Sequence, residues 1–155
     1  MRARWATRWK LTAIVFAIVL ASCGGRPGVA VSVAGVTVPM VFAGVTERTA
    51  CSSSHGDAFP QDFPLTTVRA QTPVTLKFEA GQGATSIRGV IYDVDAPTPS
   101  GGPQEEFTVT GRTGEHTARS IVPGRTYQVL VNVPWSFLVT GGEETHLFRL
   151  RVEPP

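Results

Sequence analysis

Thr126-Tyr127-Gln128-Val129-Leu130-Val131-Asn132-Val133-Pro134-Trp135-Ser136-Phe137-Leu138-Val139, then Thr140-Gly141-Gly142, then Glu143-Glu144-Thr145-His146-Leu147-Phe148-Arg149-Leu150-Arg151-Val152-Glu153, is the stretch whose reading decides the fold. Both arms are rich in Val, Phe, Tyr and Thr with period-two alternation, which reads as strands. Gly141-Gly142 is a two-residue turn type that accepts the positive φ angles of a tight hairpin. Pairing Thr140 with Glu143 places Val139 opposite Glu144, Phe137 opposite His146, Trp135 opposite Phe148, Val133 opposite Leu150 and Val131 opposite Val152. Val129 and Tyr127 share that face, whereas Asn132, Ser136 and Thr140 lie with Arg151, Thr145 and Glu143 on the other. A one-residue slip would mix the two sets. Pro134 lacks a backbone donor and is expected at a bulge or an edge-facing position.

Upstream, Gly and Pro separate further short runs of the same kind: Val36 to Phe42, Leu65 to Ala70, Val74 to Glu79, Ser86 to Val94, Glu106 to Gly111 and Thr117 to Val122. In one of them Val74, Leu76 and Phe78 share a face opposite Thr75, Lys77 and Glu79, the pattern of a half-buried strand. No stretch shows a convincing amphipathic helical period. The expected fold is all-β, an antiparallel sandwich of about seven to nine strands. From Val29 to Pro155 there is chain for one domain, which buries roughly two thirds of the surface its unfolded form exposes.

Ile121-Val122-Pro123-Gly124-Arg125-Thr126-Tyr127-Gln128-Val129-Leu130-Val131 resembles the turn and penultimate strand of fibronectin type III and related immunoglobulin-like domains. The resemblance implies an immunoglobulin-like sandwich. In it Tyr127 is the corner tyrosine, its ring in the core and its hydroxyl bonded to nearby backbone. The chain lacks the cysteine pair and early-strand Trp of antibody-type domains.

At the other end Arg2, Arg4, Arg8 and Lys10 precede Leu11-Thr12-Ala13-Ile14-Val15-Phe16-Ala17-Ile18-Val19-Leu20-Ala21. That run is short of the roughly 20 apolar residues of a membrane-crossing helix and reads as a secretory signal, residues 1–22. Leu20-Ala21-Ser22-Cys23 resembles the lipobox of bacterial lipoproteins. The resemblance implies cleavage before Cys23, diacylglyceryl (palmitate-type) acylation of its thiol, and a lipid anchor on the extracytoplasmic face of the cell membrane or outer membrane. Two acyl chains hold a protein firmly where one holds it marginally. Residues 23–28, with Gly24-Gly25-Arg26-Pro27-Gly28, form the expected tether and residues 29–155 the sandwich.

Without the four leader cations, 10 basic residues remain against 12 acidic, a formal charge of −2. No run of Lys or Arg remains to follow a phosphate backbone, so nucleic acid is not an expected partner. Nor does the low charge by itself recommend anionic lipid. With Cys23 acylated, Cys51 has no intrachain partner, which excludes a disulfide framework and leaves pairing between two chains through Cys51 open.

Cys51-Ser52-Ser53-Ser54-His55-Gly56-Asp57 is the stretch richest in chemistry, since a thiol and an imidazole on one loop are donors for copper or zinc, and His116, His146 and Met40 are further donors. The same pair as nucleophile and base needs an orienting group and an oxyanion pocket, for which no recognisable pattern is present. Asp93-Val94-Asp95 lacks the glycine and distal glutamate of a helical calcium loop and reads as a solvated strand end. Phe59 and Phe63 read as a plug beneath the sandwich or an anchor for a partner. The expectation is therefore a non-enzymatic interaction or accessory module without a cofactor, presenting loops 51–64 and 95–104 to an envelope protein partner. The alternative is a metal-binding or redox-handling lipoprotein using Cys51 and His55.

Overall fold

The computed structural model describes residues 26–48, 53–57, 63–96, 102–137 and 140–155, so the expected signal segment, Cys23 and Cys51 lie outside the described residues. Regular structure within these residues is entirely strand: β1 (Val29–Val33), β2 (Val36–Val38), β3 (Val41–Arg48), β4 (Ser53–Asp57), β5 (Leu65–Arg69), β6 (Val74–Ala80), β7 (Ser86–Asp93), β8 (Glu105–Thr110), β9 (Thr113–Ala118), β10 (Thr126–Phe137) and β11 (Thr140–Glu153). They make a two-sheet sandwich. One sheet runs β2-β1-β6-β9, the other β4-β3-β11-β10-β7-β8 with β5 beside the second half of β11. Pairing is antiparallel except for β5 on β11. The expected all-β sandwich is the observed fold, with more strands than expected.

Alternation drives the assembly. On β6, Val74, Leu76 and Phe78 are buried while Lys77 and Glu79 are exposed. The buried set joins Val31 and Val33 of β1 against Ile87, Ile91, Val129, Val131, Phe148 and Leu150 of the facing sheet. Each such side chain stabilises the fold by about 1.5–3 kcal/mol on burial.

The hairpin register differs from the sequence expectation. Phe137 pairs with Thr140, Trp135 with Gly142, Val133 with Glu144, Val131 with His146, Val129 with Phe148 and Tyr127 with Leu150. Val131 thus faces a residue six positions before Val152. Because that offset is even, every side chain keeps the face assigned to it, and face segregation cannot tell the two registers apart. The glycines belong inside β11. Gly142 lies so close to β3 that a Cβ would collide with the Thr46 carbonyl oxygen, which is why that position lacks a side chain.

Other boundaries moved for local reasons. Pro39-Met40 splits the expected Val36 to Phe42 strand into β2 and β3. The expected Thr117 to Val122 strand survives only as the end of β9, and residues 119–125 form the connection to β10. Ser53–Asp57, read as loop, is an edge strand: none of its five residues is buried and it exists through backbone pairing to β3. Across Pro134 the pairing slips by one residue, from Asn132↔Arg88 to the bridge Trp135↔Ala84, so the missing N–H falls at an irregularity.

Tyr127 is 1% exposed, and its hydroxyl donates to the Ser120 carbonyl (3.2 Å) and accepts the Val122 N–H (3.0 Å). Gly124, at φ 83°, turns the chain between these residues, a conformation that favours glycine.

The strands define two ends. At the entry end β1 begins, β6 and β10 stop, and β11 starts; at the far end lie the residues following β7 and those preceding β10. The 12 residues of β10 separate these ends by about 40 Å.

Candidate functional site

β4 places His55 and Asp57 two positions apart, hence on one face of the strand. Thr46 pairs with His55 and Glu143 with Thr46, making a cross-strand row on the outer face of the large sheet. In the next row Asp57 pairs with Gly44 and Gly44 with Thr145. Because Gly44 carries no side chain, this face sinks into an open cleft of about 480 Å³ whose wall includes the Gly142 backbone.

Within the cleft Thr46 Oγ1 lies 3.0 Å from His55 Nδ1, and His55 Nε2 lies 3.3 Å from Asp57 Oδ2. With Nδ1 accepting the hydroxyl proton and Nε2–H facing the carboxylate, hydroxyl, imidazole and carboxylate form one chain. The side chains of His55 and Asp57 are 67% and 56% exposed, so water competes for this contact and its contribution to stability is small. Beside them Arg88 donates to Glu143 (2.9 Å) and the Thr145 hydroxyl to Asn132 Oδ1 (2.8 Å). The cleft offers donors and acceptors of both kinds to a polar ligand. Thr46 and Asp57 escape a sequence reading because their link to His55 exists only once Ser53–Asp57 is a strand.

The other donors named from the sequence do not converge on His55. His116 on β9 stacks on Phe107 (4.3 Å between centroids) with Nε2 at 2.7 Å from Glu105 Oε1. His146 on β11 meets the edge of Phe42 and lies 3.2 Å from Glu144 Oε2. Met40 packs on the core. Among the described residues no three His, Cys, Asp or Glu side chains form a metal-binding group.

Glu105 joins the sheets at their edge, its Oε2 accepting the N–H groups of Ser120 (2.8 Å) and Arg119 (2.9 Å). Burial pushes its carboxyl up, but the Ser120 N–H, the His116 ring and the Arg119 N–H together outweigh burial and hold it below the usual carboxylate range. Asp93 and Asp95 are spent locally. Asp95 accepts the Thr126 N–H (2.6 Å), while Asp93 pairs with Arg125 (2.8 Å) and accepts the Asp95 N–H (3.0 Å). Phe63 lies under the Arg149 guanidinium at 5.8 Å; Phe59 is outside the described residues.

A further cluster forms at the entry end, within the expected tether. Arg26 lies 5.7 Å over the Phe42 ring, 3.4 Å from Glu47 and 4.0 Å from the buried Glu144. No family model matches the chain, and no curated protein or solved structure matches it either.

Proposed function

We propose that this chain is a lipid-anchored, non-catalytic β-sandwich of the bacterial cell envelope, immunoglobulin-like in kind, acting as an interaction or accessory module. The observation that carries the reading is the lipobox Leu20-Ala21-Ser22-Cys23 after a charged and apolar leader, directly upstream of a strand-built body. The corner hydrogen bonds of Tyr127 support the immunoglobulin-like kinship. Its binding surfaces are the cleft of Thr46, His55 and Asp57 and the far-end connection between β7 and β8, since loops and edges on a rigid sandwich carry recognition at little structural cost. Expression with a clickable palmitate analogue tests it: acyl label on the wild-type membrane fraction, lost in Cys23→Ala along with membrane retention, is the expected result. Unlabelled protein in the cytosol overturns it.

One spacing favours a second reading, metal binding. The 3.3 Å between His55 Nε2 and Asp57 Oδ2 fits two ligands each about 2.1 Å from one ion. Calorimetric titration with Zn²⁺ and Cu²⁺ decides: stoichiometric uptake abolished by His55→Ala or Cys51→Ser supports it, and no uptake removes it.

A further inference from the structure

We infer that the entry end of the sandwich is a membrane-contact surface, seated on the bilayer that holds the Cys23 acyl groups, with Phe137 in the interfacial zone. The inference rests on the lipid-anchor reading above and adds the orientation of the body and the residues that touch lipid.

The chain enters at this end and is fixed there. A Cβ at Gly81 would collide with the Pro27 carbonyl, the Gly81 N–H donates to the Gly28 carbonyl (3.1 Å), and Arg26 is held by Glu47 and Phe42. From Cys23 to Arg26 is three chain steps, at most about 11 Å when fully extended. The end that receives the tether therefore cannot leave the headgroup region while Cys23 is acylated.

The hairpin of β10 and β11 closes at the same end. Two residues beyond Gly81, the Gly83 carbonyl accepts the Ser136 N–H (2.9 Å), and next to it stands Phe137, 47% exposed. Apolar side chains such as Phe on a membrane-surface segment bury at the boundary between headgroups and acyl chains. Arg48, closing β3, and Arg112, in the β8–β9 turn, are exposed at this end together with one carboxylate, Glu79 of β6, while the carboxylates of Glu47 and Glu144 are engaged by Arg26. Arginines at headgroup height attract anionic phospholipid. Composition hides this, because these residues lie far apart in sequence. Seated so, the body holds its far end about 40 Å from the membrane, along β10.

Trp135 reports the contact without a label, since the other tryptophans, Trp5 and Trp9, precede Cys23. The acylated protein, with acylation of Cys23 verified by mass spectrometry, is reconstituted into phosphatidylcholine–phosphatidylglycerol vesicles with plain or brominated acyl chains. Brominated lipid is expected to quench Trp135; Phe137→Asp is expected to reduce that quenching roughly twofold, and Val122→Asp at the far end to leave it unchanged. Arg48→Glu with Arg112→Glu provides a second test that leaves the apolar contact intact, and is expected to lower quenching as phosphatidylglycerol is raised. Equal emission in both vesicles, or quenching indifferent to both sets of variants, overturns the inference while the acylated anchor stands. A thiol on Cys23 without acyl groups overturns both readings.

Discussion

The ring of Phe107 lies across the backbone of Gly89, its partner on the neighbouring strand, where a Cβ would overlap the ring. The ring is thereby free to reach Phe78 at 5.3 Å and His116 at 4.3 Å, joining the two sheets along one edge. Gly89→Ala is expected to destabilise by about 1–3 kcal/mol through overpacking. Combined with Phe107→Leu, the cost is expected to be smaller than the sum of the two single changes, as urea unfolding of the three variants will measure.

Glu105 makes the same edge sensitive to acid. Its carboxyl is held below the ordinary range in the folded state, so its stabilisation is complete above the unfolded-state value and is lost as pH falls through the folded-state value. Glu105→Gln is expected to cost about 1–2 kcal/mol at neutral pH. The gap between wild type and variant is expected to close as pH is lowered through the acidic carboxylate range, in denaturant titrations across a pH series. A gap independent of pH would locate the effect in packing and not in charge.

Much of this architecture can be read from the residues, and the misreadings have a common cause. Alternation assigned Val129, Val131, Val133 and Trp135 to the core because period two is a property of one strand. Register is a property of two strands, and an even offset leaves every face unchanged, so Gly141-Gly142 was the only local clue and it pointed to a turn. Gly142 instead admits the backbone of β3, a contact from about a hundred positions upstream, while Gly141 lies against the Trp135 carbonyl of β10. The cleft was hidden for a related reason: Ser53–Asp57 contains no strand-forming side chain, and without β4 nothing aligns Thr46, His55 and Asp57. Tyr127 was legible because its partners, Ser120 and Val122, are within seven positions of it.

Removing the Tyr127 hydroxyl isolates the corner. Tyr127→Phe keeps the buried ring but leaves the Val122 N–H without its acceptor and the Ser120 carbonyl without its donor. The expected loss is about 1–3 kcal/mol, read as a lower urea midpoint at unchanged slope.

His55 separates function from stability. Its side chain is exposed and its bonds to Thr46 and Asp57 compete with water, so His55→Ala is expected to change stability by less than about 0.5 kcal/mol. Any loss of ligand or partner binding in that variant then reports the cleft itself. A large drop in thermal stability would instead show that the edge strand β4 depends on this side chain.

Arg26 ties the segment ahead of β1 to the body through three groups, the Phe42 ring, Glu47 and the buried Glu144. Because the Arg26 side chain is about half exposed, Arg26→Ala is expected to cost only about 0.5–1 kcal/mol globally. Its local effect is expected to be larger, since the Gly81 N–H is held by the Gly28 carbonyl and opens when the entry segment lifts. Hydrogen exchange at Gly81 should then rise severalfold in Arg26→Ala while core amides such as that of Val131 stay within the small global change. Unchanged exchange at Gly81 would mean that Pro27 and Gly28 hold the segment by their own backbone contacts, with Arg26 serving only to neutralise Glu144.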